Sequence, residues 1–490
     1  MKNTKMFKMS MATVACLMLS TSAHATLKSE KVTLKGNMQV KYNKLPASVD
    51  TLKEAFTEGM FYGRIRANMF YWDWDEEDYS TGGKQKDNRN SGLGGSLVYK
   101  TAPLKGISGT VGLYTSQNLG FRMDKDDVKY SKAGKDTFSR YNVSTGGHYG
   151  MTVLGQAYIQ YDFSKTSIIA GRQMFETVFT KSNDTKMIPN TFDGITATIK
   201  EIPKTTIKIG YLAKQKLRDH TTAHDVLAFN PNNKWDENDD SAVNKNLTVD
   251  RIGDDNELLV ASITNKSIKN LKANISYAMV PDVISNLTLE AHYTIPIGDW
   301  KVVPGVRYMQ QFDNLNANYA VANLKGKQQG YDDPNSLDSN LLALRMDFKK
   351  GAFLGRLGYS KIADEADIVA PWRGFPTGGF TRAMAQYNWY ANTKTYMLRL
   401  GYDFGKANIL PGFSIMGRYA IQDFDDNKDG VAADSHVIHI DMRQNIGKNM
   451  ELKFRLGIVR ADDDILKSNR TSYKTDYSYN EYRLELNYFF

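Results

Sequence analysis

The sequence predicts an all-β fold: a transmembrane antiparallel β-barrel of about eighteen strands, with short periplasmic turns and long extracellular loops. Three observations predict it. In the last stretch, Tyr482, Leu484, Leu486, Tyr488 and Phe490 alternate with Glu481, Arg483, Glu485 and Asn487. One face of that strand is apolar and the other charged. The connections between such segments mostly alternate long and short, an asymmetry kept by outer-membrane barrels that a soluble sandwich has no reason to keep. Finally, the chain starts like an exported protein, yet past that start no apolar run nears the roughly 20 residues a membrane helix needs. A mean hydropathy of −0.48 would suit a soluble protein, but in a barrel only alternate residues touch lipid.

The export signal comes first. Lys2, Lys5 and Lys8 form a basic region, Met9 to Leu19 is apolar but short, and Ala23-His24-Ala25 is a small-x-small site. Cleavage is expected after Ala25, making 1–25 the signal peptide. Thr13 and Val14 before Ala15-Cys16 make a poor lipidation site. Cys16 is the only cysteine, so the mature chain has no disulfide framework and no cysteine metal site. Losing three lysines lowers the formal charge from +9 to +6. The basic residues form no packed run, which argues for a distributed positive surface and against nucleic acid.

Residues 26–56 read as a periplasmic N-terminal segment, with Val49, Leu52 and Phe56 at helical spacing. It is too short for the separate plug domain of an energy-coupled transporter. The barrel then occupies 57–490. Its first strand, 59–72, turns Phe61, Ile65, Ala67, Met69 and Tyr71 outward and Tyr62, Arg64, Arg66 and Asn68 inward. Strands 93–100 and 107–116 share a tight turn, and the long polar stretch 117–150 follows. Strands 151–163 and 167–175 meet at Ser164-Lys165-Thr166, and strands 191–200 and 205–214 at Glu201-Ile202-Pro203-Lys204. Beyond the acidic loop 215–256 come 257–264 with 271–280, then 286–295 with 301–311. The polar loop 312–339 precedes 340–349 and 352–361. A loop rich in Pro, Gly and Trp, 362–392, precedes 394–404 and 413–422. Strands 436–443 and 450–460 lead through 461–477 to the last strand. Asn, Asp and Gly in the loops fit frequent turns, and only 12 prolines fit an unbroken ladder. Trp300, Tyr308, Tyr359, Tyr402 and Tyr488 stand near strand ends, where aromatic girdles form.

The same alternation sends Arg64, Arg66, Arg172, Arg307, Arg345, Arg356, Arg399, Arg418, Arg443, Arg455 and Arg483 inward. An arginine facing lipid near the midplane would cost roughly 2–4 kcal/mol. Asp162, Asp347, Asp403, Asp441 and Glu485 face the same lumen and offset part of the charge. A positive wall in a narrow pore favours anions. Eighteen strands enclose an aqueous channel unless loops fill it, and 117–150, 175–190 and 362–392 are the candidates to fold inside.

Two other patterns compete for function. Asp425-x-Asn427-x-Asp429-Gly430 matches the first half of a calcium loop, but its twelfth position is His436, not Glu. An acidic turn is the plainer reading. His439 and Asp441 face inward together, and so does His292, but no nucleophile stands on a neighbouring strand. Neither an enzyme nor a cofactor is expected. A surface adhesin or structural barrel is the alternative to a pore.

Around Ala170-Gly171-Arg172-Gln173, Asn183-Asp184 and Lys186-Met187-Ile188-Pro189-Asn190-Thr191-Phe192-Asp193-Gly194, the chain resembles the OprD family of outer-membrane porins. Leu52-Lys53-Glu54-Ala55-Phe56 through Gly63-Arg64-Ile65-Arg66, and Leu104-Lys105-Gly106 before Tyr114-Thr115-Ser116, match as well. The resemblance is to versions from epsilon-type Gram-negative bacteria. It implies an eighteen-strand barrel, monomeric or homotrimeric, set in outer-membrane lipid and lipopolysaccharide. It further implies inward loops that narrow the lumen, and basic residues that guide small anionic solutes. A terminal aromatic such as Phe490 resembles the signal read by the barrel assembly machinery.

Overall fold

The computed structural model describes residues 29–34, 38–77, 85–131, 137–230 and 243–490. The expected signal peptide, with Cys16 and the cleavage site, lies outside the described residues. Two short strands, β1 (Val32–Leu34) and β2 (Val40–Tyr42), precede helix α1 (Leu52–Thr57). The helix starts where Thr51 and Glu54 cap each other: the Glu54 amide donates to Thr51 Oγ1 at 3.2 Å, and the Thr51 amide donates to Glu54 Oε2 at 3.1 Å. This reciprocal capping satisfies two amides that the first turn leaves without helical partners.

The barrel wall follows in chain order. Its first half is β3 (Met60–Trp74), β4 (Asn88–Lys100), β5 (Ile107–Gln117), β6 (Met151–Phe163), β7 (Thr166–Gln173), β8 (Thr191–Ile199), β9 (Thr205–Lys216), β10 (Leu258–Asn265) and β11 (Leu271–Val280). The second half is β12 (Ile284–Tyr293), β13 (Ile295–Ile297), β14 (Trp300–Asp313), β15 (Ser339–Lys350), β16 (Phe353–Ile362), β17 (Lys394–Asp403), β18 (Phe413–Asp423), β19 (Ser435–Ile446), β20 (Met450–Ala461) and β21 (Tyr479–Phe489). Neighbours are antiparallel, and β21 closes on β3 with Tyr479 opposite Trp74 and Phe489 opposite Arg64. β12 and β13 both pair with β14 and are one wall strand interrupted at Thr294, so the closed barrel has eighteen strands.

The wall follows the period-2 rule. Ile65, Leu97, Val111, Ile159, Ile209, Leu398 and Leu486 stand exposed on the outside, an apolar surface that lipid covers. Trp300 and Tyr488 are exposed among them at strand ends, and Tyr308 is exposed in the middle of β14. Inward neighbours such as Tyr62, Val98, Tyr114 and Thr395 are buried. The largest hydrophobic cluster lies inside the barrel, not between sheets. There Leu247, Val321, Ile368, Trp372 and Trp389, all from loops, are at most 1% exposed and pack on Leu258, Met309 and Leu341 of the wall. Loop 118–150 behaves differently. It carries α2 (Arg140–Gly146) and a small core of its own, Met123, Val128, Phe138, Val143 and Tyr149. It is tied to the rim of β4 and β5 through Ser91, Asn90 and Ser116.

Candidate functional site

Two long loops enter the lumen and bind each other. Thr180 and Arg373 form an antiparallel bridge, the Lys181 amide donates to Trp372 O at 3.0 Å, and the Gly374 amide donates to Phe179 O at 2.7 Å. A Cβ at Gly374 would stand 2.1 Å from the Val178 carbonyl oxygen and 2.2 Å from that of Phe179, so the two backbones meet this closely only because residue 374 has no side chain. Trp372, fully buried, donates from Nε1 to Val226 O at 2.8 Å and fixes the crossing to a third loop.

The first of these loops, 174–190, is pinned to the wall by charge. Asp184 accepts from Arg64 Nη2 and from Arg66 Nη1, the latter at 2.7 Å. Arg66 Nη2 also reaches Asp184 O at 2.9 Å and Glu485 Oε1 at 2.8 Å. Asn68 donates to Lys186 O at 2.7 Å. Two guanidiniums and two carboxylates form a neutral, almost completely buried node between the loop and strands β3 and β21. The second loop, 363–393, is held by backbone carbonyls. Arg307 Nη1 donates to Pro376 O at 2.6 Å and Gly378 O at 3.1 Å, and Arg345 Nη1 donates to Gly379 O at 2.7 Å. Arg356 donates to the same carbonyl, and Arg418 donates to Arg382 O at 2.8 Å.

Two of the cavities left inside the barrel share Asn183 and Phe375. One, of about 200 Å³, reaches toward the extracellular end at Trp72 and is lined by Lys186, Arg218, Arg382, Arg418, His439, Arg455 and Arg483. No carboxylate is among its lining residues. The other, of about 430 Å³, reaches the periplasmic ends of β9, β10 and β11. Its charges are mixed: Glu176 and Glu290 against Lys181, Lys208, Lys272, Arg307 and Arg373. At the junction, Phe375, Tyr387 and Trp389 stack, with Tyr387 and Trp389 centroids 4.2 Å apart, and the Arg382 guanidinium lies 5.3–5.5 Å from the three rings.

Along the wall beside the first cavity, arginines stand in cross-strand register: Arg356 opposite Arg399, Arg399 opposite Arg418, and Arg455 opposite Arg483. Carboxylates partner some of them. Asp347 takes Arg356 at 2.5 Å, Asp441 takes Arg455 at 3.0 Å and His439 at 2.9 Å, and Glu481 takes Arg483 at 2.5 Å. Among the described residues, no carboxylate lies within ion-pair distance of Arg399 or Arg418. Arg443 is exposed toward the lumen opposite Lys453. Asp162 accepts from Gln160 near the periplasmic rim, and Asp403 caps the β17–β18 turn through the Lys406 amide at 2.9 Å.

The family model for outer membrane porins of the OprD family matches residues 55–490. The chain belongs to the OprD family of outer-membrane porins. It is similar in fold to Acinetobacter baumannii OccAB3 (TM-score 0.66, 17% identity, 89% of this chain and 99% of that chain). Pseudomonas aeruginosa OccK8 (OprE) gives TM-score 0.66 at 15% identity over 89% and 98%, and the P. aeruginosa OpdK structure with vanillate 0.64 at 13% over 88% and 98%. No curated protein sequence matches the chain. This OprD-family porin is thus a multi-pass barrel of the bacterial outer membrane.

Against this geometry, one expectation needs correction. Arg172 faces outward. It pairs in register with Ala157, shares the face of exposed Ile168, and clasps Asp193 through Nε and Nη2, each at 2.6 Å, while Gln173 and Thr196 bond on the inside. The paired carboxylate and the Leu154 carbonyl, 3.2 Å from Nη1, remove the cost that would otherwise drive the guanidinium inward. In the calcium half-motif the acidic side chains are engaged by protein groups. Asp425 is taken by Asn392 at 2.9 Å and the Lys428 ammonium at 3.2 Å, Asp429 by Ser468 at 2.7 Å, and His436 by Tyr419 at 2.8 Å.

The porin also uses loop residues that strand alternation could not single out: Asp184, Lys186, Arg218, Arg373 and Arg382. Asp184 and Lys186 stood in the stretch that carried the family resemblance. No periodic signal marked the others.

Proposed function

We propose that the pore conducts small hydrophilic anions, carboxylates above all, by passive diffusion along the arginine-bearing wall of β16–β21. The observation that carries this reading is the cavity at the extracellular side, whose lining holds six Lys and Arg side chains and no carboxylate. Low-dielectric walls focus such a field and raise the local anion concentration. The stacked Phe375, Tyr387 and Trp389 beside Arg382 add a flat apolar surface, which suits an aromatic acid of the vanillate kind better than a simple ion. The OpdK structure is one with vanillate. The expected result is a small single-channel conductance in planar bilayers, with a reversal potential of anionic sign under a salt gradient and block by millimolar aromatic carboxylates. A cation-selective reversal potential would overturn the reading, and absence of conductance would favour a structural or adhesive barrel.

A further inference from the structure

The strands β1 and β2 precede the barrel but do not hang beneath it. Val32 is 3% exposed and packs with Tyr62, Val98 and Tyr114, inward residues of β3, β4 and β5, and with Met187 and Ile188 of loop 174–190. The Tyr42 ring meets Tyr62 edge-on at 4.7 Å, with Lys100 Nζ 4.9 Å from its centroid. Tyr62 Oη donates to Lys44 O at 2.8 Å, and Lys31 Nζ donates to Phe61 O at 3.0 Å. An isolated two-stranded unit is at best marginally stable in water, so this pair owes its order to the inner wall.

We infer that the β1–β2 pair is a selectivity element of the pore. It occupies the periplasmic mouth along β3–β5, braces loop 174–190 from below, and removes a tyrosine- and valine-lined sector from the path. Solutes are thereby confined to the opposite, arginine-bearing wall. The pair precedes residues 55–490, which match the family model, so this chain's own N-terminal sequence sets it. The inference rests on the anion-favouring reading of the pore.

The test removes residues 29–43 from the otherwise complete chain and records single channels in symmetric salt and under a salt gradient. The expected result is roughly a two-fold rise in conductance, as for any pore whose cross-section is enlarged by an emptied sector, with a reversal potential closer to zero. A second variant, Val32→Asp with Tyr42→Ala, keeps the chain length and unseats the strands. It should shift both readings in the same direction, and it carries the test if the deletion fails to assemble. Arg399→Gln separates the effects, because it should move the reversal potential without enlarging conductance. Wild-type anion preference left unchanged by the unseating variants overturns the selectivity role alone. Cation preference in the wild type overturns the pore reading and this inference with it.

Discussion

Substituting Asp184 by alanine should unlock the constriction. The node it belongs to holds Arg64, Arg66, Asp184 and Glu485, with side chains 3%, 0%, 1% and 9% exposed. Asp184→Ala leaves two guanidiniums facing one carboxylate under a lid of protein. Breaking a buried ion pair from one side typically costs about 3–5 kcal/mol. The strand ladder does not pass through Asp184, so the barrel can avoid that cost by letting loop 174–190 lift and water reach Arg64. A shift of that size changes the docked-to-lifted ratio by roughly two to four orders of magnitude. In planar bilayers the variant should show large, fluctuating openings where the wild type is quiet. In folded protein, trypsin should cut after Lys181 and Lys186 in the lifted loop. Adding Arg64→Met should quieten the channel again, because it removes the stranded charge, and the double-mutant cycle then gives a favourable coupling. A quiet, wild-type trace from Asp184→Ala would refute the reasoning. So would a double variant noisier than the single one.

Three further outcomes are expected. Arg399→Gln and Arg418→Gln should each lower the anion-to-cation permeability ratio several-fold, read from reversal potentials; a guanidinium about 4 Å from a passing carboxylate attracts it by about 1 kcal/mol even in bulk water. Leu486→Arg places a charge on the lipid face at a cost of roughly 2–4 kcal/mol and should abolish the heat-modifiable folded band on gels, whereas Leu486→Val should leave it. In the outer loops, burial pushes the Asp425 carboxyl up, but the hydrogen bonds from Asn392 and the Asn427 amide and the Lys428 charge outweigh it and hold it below its ordinary value. A depressed carboxylate stabilises above the unfolded carboxylate range near pH 4 and loses that contribution as the pH falls through its folded value. Protease protection of 424–434 should therefore weaken on acidification below about pH 4, and stronger protection there would contradict the assignment.

The strands were legible because the period-2 pattern and turn chemistry agree locally. The expected 151–163 and 271–280 coincide with β6 and β11. Strand β4 begins at Asn88 rather than Leu93, since Asn88 to Gly92 carry no apolar alternation there. The expected strand through Ile295 breaks at Thr294, just before Pro296, which has no amide to donate to a ladder. Loops 174–190 and 363–393 enter the lumen as expected, but 118–150 builds its own core at the rim. Arg172 was misplaced because Ile168 and Ile169 put an apolar residue on each face of β7, so alternation does not say which face meets lipid, and the cost of a lipid-facing arginine argued for the lumen. The Asp184 node joins residues from 118 to 419 positions apart, a distance no local pattern reports.

That node changes what an inward arginine means. Arg64, Arg66, Arg307, Arg345 and Arg356 obey the same parity as Arg399 and Arg418, yet their guanidiniums are committed to Asp184, Glu290, Asp347 and the carbonyls of loop 363–393. Their role is to hold loops, and they contribute little field to the path. Asp441 and Glu481 temper Arg455 and Arg483 in turn. The extracellular cavity is lined from the wall by Arg418, which also donates to Arg382 O, and from the loops by Lys186, Arg218 and Arg382. On the proposed anion-favouring reading, selectivity depends on loop position as much as on wall composition. A variant that displaces loop 174–190 should lose anion preference even with every wall arginine in place, whereas one that removes Arg443, opposite Lys453 at the periplasmic side, should change it least.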